Sequence, residues 1–189
     1  MLALAIAAAI AASSGDLLML WVGNSLRPEL GLARPPAFAL PVGGALGVVA
    51  IRMYGLGYAA VARASGARVV FLCGAAGALI GAAIHGLTWL AIRAGLESGA
   101  AAAPPLEAVA GSGALVALWA LAAALVVIAS ATLAASRALP RTVRWLNPAA
   151  VTLAFVAMGM PSEWGRSFLA PAAPNLAHVV FFVAAWRRA

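Results

Sequence analysis

The sequence predicts an all-α polytopic membrane protein, a bundle of six transmembrane helices with both termini cytoplasmic. Three observations carry that expectation. The 189 residues are 65% hydrophobic and only 9% charged, and a soluble domain of this length needs far more charge to clothe its core. The apolar residues gather into runs close to the roughly 20 residues that cross about 30 Å of hydrocarbon. The charges lie between those runs and are distributed unevenly.

The runs cover residues 2–23, 37–61, 69–92, 112–136, 144–161 and 168–186. The first opens at Met1 with no basic residue ahead of it, so it reads as a retained helix rather than a cleaved signal. The second carries Gly43-x-x-x-Gly47 and the third Gly77-x-x-x-Gly81, a stripe that continues at four-residue steps to His85 and Trp89. Small residues let helix backbones approach closely in lipid. The fourth run, Ala114 to Ala135, is uninterrupted; Pro148 interrupts the fifth, and Pro171 and Pro174 the sixth. The 96–111 connection, with Pro104-Pro105, reads as a plain loop, and no internal repeat is evident. The whole chain forms one membrane domain.

Orientation follows from the arginines. The net charge of +7 arises from 12 basic residues, all arginine. With the N-terminus inside, Arg63, Arg68, Arg137, Arg141, Arg144, Arg187 and Arg188 face the cytoplasm without an acid among them. On the other side Arg27, Arg34, Arg93 and Arg166 are balanced by Glu29, Glu97, Glu107 and Glu163. Basic residues concentrate on the inner side of membrane proteins, and tryptophans at the two interfaces. Trp21, Trp89, Trp145, Trp164 and Trp186 fall at predicted span ends. Arginines spread between apolar runs are no nucleic-acid patch. Cys73, the single cysteine, has no partner for an internal disulfide and reads as packing.

Intramembrane polar residues point to function. A charge in hydrocarbon costs at least a few kcal/mol and normally faces a protein interior or a wet cavity. Asp16 lies about 9 Å below the outer end of its helix at 1.5 Å per residue, and His85 at about the same depth. Asn175 and His178 share one face of the last span. Glu163 and Trp164 precede that span, and Asn24 lies two turns above Asp16. Arg52 sits about 12 Å deeper than Asp16, so it is expected to snorkel toward the cytoplasm rather than pair. Met160–Gly165 and Pro171–Asn175 are both expected to break helix, and irregular backbone at membrane depth belongs against protein or a water-filled cavity.

These residues predict an outer-facing pocket floored by Asp16, His85 and His178, taking a small lipophilic or amphipathic ligand. Asp16 and His85 are its candidate acid–base pair; Asn24, Trp89, Glu163, Trp164, Asn175 and His178 are its candidate ligand contacts. One carboxylate and two imidazoles are also the residue types of a divalent-metal site, but no metal-binding spacing accompanies them, and no metal is assigned. Two histidines on separate spans leave bis-histidine b-type haem as another alternative, so the cofactor stays open. A structural or accessory subunit without chemistry is the runner-up. Besides membrane lipids and the ligand, the partners stay open between a homo-oligomer and a larger membrane complex, because Gly43 and Gly47 suit either an intersubunit or an intrachain contact.

Several short motifs carry a resemblance. They are Gly15-Asp16-Leu17-Leu18 and Leu40-Pro41-Val42-Gly43-Gly44-Ala45-Leu46-Gly47 with Tyr54-Gly55-Leu56-Gly57. They continue in Ala83-Ile84-His85-Gly86-Leu87 and Asn175-Leu176-Ala177-His178-Val179-Val180-Phe181-Phe182. Across most of the chain the pattern resembles a bacterial six-helix integral membrane family defined only as a domain of unknown function. The resemblance implies a multi-pass fold in a bacterial inner membrane. It implies no activity, so it assigns no catalytic residue.

Overall fold

A computed structural model of the chain describes residues 1–25, 27–97 and 113–187; the predicted 96–111 loop lies almost wholly outside the described residues. What is described is helical. The elements are α1 (Leu2–Asn24), α2 (Ala39–Arg52), α3 (Tyr54–Ser65), α4 (Arg68–Glu97), α5 (Gly113–Ala135), α6 (Arg141–Trp145), α7 (Pro148–Gly159) and α8 (Ala170–Trp186). A 3₁₀ turn at Pro28–Leu30 follows α1, and a π-helical turn at Gly165–Leu169 leads into α8.

Five segments are long and apolar enough to cross a membrane: Leu2–Asn24, Ala39–Ser65, Arg68–Glu97, Gly113–Ala135 and Gly165–Trp186. The second is α2 and α3 in series, separated only at Met53, whose N–H bonds the carbonyl of Ala50 three residues back. The expected fifth span, 144–161, is not one continuous helix but α6 followed by α7. Its apolar helix, α7, has 12 residues, about 18 Å at 1.5 Å each, well short of the hydrocarbon thickness. Pro148 begins that helix rather than interrupting it, at a first-turn position where no N–H is required. Asn147 caps it, accepting from the Ala150 N–H at 3.1 Å and donating to the Arg144 carbonyl at 2.7 Å.

The last span is corrected too. Pro171 and Pro174 do not break it; helix runs through both. Pro171 has no N–H for the Ser167 carbonyl four residues earlier, and the Asn24 amide from α1 donates to that oxygen at 3.2 Å. Of the expected break at Met160–Gly165 only Met160, Pro161 and Ser162 leave the helix, which resumes at Glu163 and runs into the π-helical turn.

α1 is the axis of the bundle, packed on α2, α3 and α8, while α4 bridges α2 and α3 to α5. Its contact face is alanine: Ala5, Ala8, Ala9 and Ala12 are buried against Tyr54, Tyr58, Phe181 and Phe182. Small residues on one helix thus receive the large rings of its neighbours. Leu4, Ile10, Leu72, Leu79, Leu90, Leu121 and Leu153 point outward, the inside-out distribution of helices that meet lipid.

Two glycine contacts set the helix spacing. Gly15 of α1 and Gly43 of α2 cross backbone to backbone; a Cβ on either would stand 2.7 or 2.8 Å from the other's carbonyl oxygen. Along α2, Gly44 and Gly47 are notches for Trp89 and His85 of α4, where a Cβ would lie 2.3 and 2.0 Å from ring atoms. The predicted stripe from Gly77 to Trp89 is therefore not one surface: Gly77 faces α5, whereas His85 and Trp89 enter α2.

At the end of the bundle holding Asn24, Arg27 ties α1 to the π-helical turn. It pairs with Glu29 at 2.8 Å and with Glu163, and donates to Ser167 Oγ at 3.0 Å. A backbone hydrogen bond, with help from Arg27, holds the Glu29 carboxyl below the usual range. At the opposite end Met1 Sδ meets Arg63, and α6 lies against α8 with Val143 buried.

Gly47→Ala forces a methyl into the His85 ring and is expected to cost about 1–3 kcal/mol, the range for overpacking a filled interior. Gly113→Ala, where a Cβ meets nothing within 4 Å, is expected to be neutral. Unfolding of detergent-solubilised protein measures both.

Candidate functional site

Four of the polar residues singled out above, Asp16, His85, Asn175 and His178, gather inside the bundle. Each arrives for a local reason: Asp16 because Gly15 lets α1 lie on α2, His85 because Gly47 leaves room for its ring, and Asn175 because helix continues through Pro174. Asp16 Oδ1 is 3.1 Å from His85 Nδ1. Its other oxygen, Oδ2, accepts from the Asn175 amide at 2.7 Å. Asn175 Oδ1 accepts from the Tyr54 hydroxyl at 2.7 Å. On the far side of the imidazole, His85 Nε2 donates to the Gly43 carbonyl at 3.1 Å. One chain of polar contacts, hydrogen bonds linked by the Asp16–His85 ion pair, therefore joins α2, α4, α1, α8 and α3.

A second pair stacks on the first. The His178 ring lies 4.5 Å from the Tyr54 ring, nearly parallel. His178 Nδ1 donates to the Pro174 carbonyl at 2.7 Å, and Nε2 accepts from the Tyr58 hydroxyl at 2.8 Å. Tyr54 and Tyr58 are fully buried, as His85, Asn175 and His178 nearly are. The Asp16 side chain retains 13% of its accessible surface, so the carboxylate is the part of the network that still meets its surroundings.

The acceptors fix where protons sit. A carbonyl oxygen only accepts, so the bond to Gly43 places a proton on His85 Nε2. His85 Nδ1 and Asp16 Oδ1 stand at ion-pair distance, 3.1 Å, close enough to hold one more proton between them. It rests on nitrogen, as an imidazolium–carboxylate pair, or on oxygen, as a neutral pair. Either way the two side chains carry no net charge together, which is what makes a carboxylate tolerable at this depth. The same rule makes His178 an Nδ1–H tautomer that accepts from Tyr58. The chemical capability of the Asp16–His85 pair is the transfer of one proton.

Other expected contacts lie elsewhere. Asn24 donates to the Leu20 carbonyl at 2.8 Å and to that of Ser167, Glu163 pairs with Arg27, and Trp164 is exposed and stacked on Phe168. The structure does not bring these three to Asp16. Arg52 is exposed and, among the described residues, forms no ion pair with Asp16.

The cavity also differs from expectation. An open groove of about 720 Å³ lies between α1, α2 and α4, lined by Val22, Leu32, Arg34, Leu40, Trp89, Arg93 and Leu96 among others. Asp16, His85 and His178 do not line it. Trp89, one helical turn beyond His85, forms its wall. All four ring nitrogens of His85 and His178 are engaged, so haem ligation would have to break existing bonds. Among the described residues no three His, Cys, Asp or Glu side chains gather in a metal-binding group.

Tyr54 and Tyr58 are the network members that the sequence reading did not select. Their spacing of four on the face that carries Gly57 and Val61 toward the core was the available signal. No family model, no curated protein and no solved structure matches the chain.

Removing one partner of the pair strands the other. Asp16→Leu and His85→Leu are each expected to destabilise the fold by about 3–5 kcal/mol, the cost of an unpaired buried group. The Asp16→Leu/His85→Leu double variant is expected to lose less than the two singles together. Unfolding of the four proteins in mixed micelles closes that cycle.

Proposed function

We propose that the chain is a membrane protein with both termini cytoplasmic that binds a small amphipathic ligand at its outer end. In this reading α6 and α7 together complete a sixth pass. The Asp16–His85 pair is its acid–base group. The single observation that carries the reading is Trp89: its ring walls the groove on one side and belongs to the same face of α4 as His85. A ligand in the groove lies one helical turn from a movable proton.

The groove supports an amphipathic occupant rather than a purely apolar one. Val22, Leu40 and Leu96 supply apolar wall, while Arg34 and Arg93 stand among the same lining residues. Arg93 is engaged by Glu97 at 2.8 Å; Arg34 forms no ion pair among the described residues. The orientation is supported by the arginines Arg63, Arg141, Arg144 and Arg187 gathered at one end, where no acidic side chain lies among the described residues. Membership of the six-helix family rests on the sequence motifs alone, whose Asp16, Gly43, Tyr54, His85 and Asn175 meet in the buried polar network. That family brings with it the bacterial inner membrane.

A second reading rests on a specific observation as well. Every polar atom of the network already has a partner inside the chain, as a purely structural or accessory subunit requires.

Titration with a bromine-labelled single-chain fatty acid separates the two. The ligand reading expects saturable quenching of tryptophan fluorescence that disappears in Trp89→Phe and weakens in Arg34→Gln. Asp16→Asn keeps a hydrogen bond to His85 but has no carboxyl proton; it is expected to retain the quenching and lose any turnover of the bound probe. Quenching that never saturates, or that survives Trp89→Phe unchanged, supports the structural subunit instead.

A further inference from the structure

A different place in the molecule carries an inference of its own, independent of the ligand proposed above. It is the end of the bundle that holds Met1. Arg63, Arg68, Arg137, Arg141 and Arg187 are exposed there and Arg144 is half-buried. Among the described residues none of the six pairs with a carboxylate. The ion pairs among the described residues lie at the other end or at Asp16.

Within this end, α6 stands apart. It is a five-residue helix, Arg141–Trp145, set between α5 and the short apolar α7. Val143 is buried at 1% exposure and pins it to the core, whereas Trp145 is 69% exposed. Arg141 and Arg144 are three apart and so share a face. Arg144 Nε is buried and has no hydrogen-bond partner. A buried donor without a partner costs about 1–3 kcal/mol, and a guanidinium reaches a phosphate through two parallel bonds of this kind.

The geometry points to a binding site for an anionic phospholipid, with its phosphate on Arg144 and Arg141 and Trp145 at the boundary between headgroup and acyl chains. The phosphate supplies the acceptor that Arg144 Nε lacks once the half-buried side chain turns that occluded edge toward the headgroups. No acidic side chain lies at this end among the described residues, so a choline ammonium would face six guanidinium groups, which explains the preference for a net-negative headgroup. The exposed indole explains why the anion belongs to a lipid. A tryptophan beside the apolar spans sits where its ring meets both acyl chain and headgroup, and a free anion would make no use of it. Basic pockets beside membrane helices recognise acidic lipids by this means.

The test uses the full chain in phosphatidylcholine nanodiscs containing one-fifth phosphatidylglycerol. Either lipid is brominated in turn, and the Trp145 signal is taken as the difference between wild type and Trp145→Phe. Brominated phosphatidylglycerol is expected to quench Trp145 at a mole fraction lower by about fivefold for each arginine engaged. Arg141→Gln and Arg144→Gln are each expected to reduce that preference about fivefold, while Arg34→Gln at the opposite end leaves it unchanged. Arg141 is exposed, so its variant tests the site even where Arg144→Gln fails to fold. Equal quenching by the two lipids overturns the proposal. So does a preference that survives Arg141→Gln, or one that inorganic phosphate at millimolar concentration removes, which would mark a site for free anions.

Discussion

A carboxylate inside a membrane bundle is the constraint from which the rest of this structure follows. Asp16 needs a counter-charge or a proton, and His85 supplies one. His85 reaches it only because Gly47 leaves a notch in α2, and because Gly15 and Gly43 let α1 and α2 lie backbone to backbone. Asn175 takes the second carboxylate oxygen, and Tyr54 takes the Asn175 carbonyl. The polar chain that runs through this one acid therefore ties four other helices to α1, two directly and two through His85 and Asn175. In lipid, where burying apolar surface no longer distinguishes inside from outside, close packing and polar contacts of this kind decide which helix faces which.

The two polar layers do different work. The layer around Asp16 and His85 holds a proton between nitrogen and oxygen and keeps some exposure at the carboxylate. The layer around His178 and Tyr58 is fully buried, with each donor facing one acceptor, and its rings stack on Tyr54. The second layer fixes Tyr54, which orients Asn175, which positions the carboxylate. A catalytic reading and a structural reading of the site accordingly share most of their residues. They differ in whether the proton beside Asp16 ever leaves.

Much of the membrane character was legible in the sequence because hydropathy and charge act over long windows. Five helices with the length and composition of spans lie within about five residues of the expected bounds, and Asp16, His85 and Asn175 do meet, with His178 reaching them only through the Tyr54 ring. What escaped detection was set by local chemistry or by three-dimensional packing. Pro148 resembles an interruption until Asn147 is recognised as a cap, which makes the proline a helix start. Pro171 and Pro174 resemble a break until Asn24, from a helix far away in sequence, is seen to satisfy the carbonyl that Pro171 leaves open. The pocket was placed on the polar residues because a charge suggests a cavity, whereas those residues consume one another's hydrogen bonds and the open groove lies beyond Trp89. Tyr54 and Tyr58 escaped because a tyrosine in an apolar run looks like packing until its hydroxyl has a partner.

The proton between Asp16 and His85 is the claim on which both the architecture and the proposed chemistry rest, and nitrogen-15 spectra of histidine-labelled protein in lipid test it directly. The chain has only two histidines, so both assign from a single substitution. The account predicts one imidazole with Nε2 protonated and Nδ1 bearing or sharing a proton, moved by Asp16→Asn, and a second that is a neutral Nδ1–H tautomer indifferent to that change. A His85 signal that is neutral, carries a free lone pair on Nδ1 and does not respond to Asp16→Asn would contradict it.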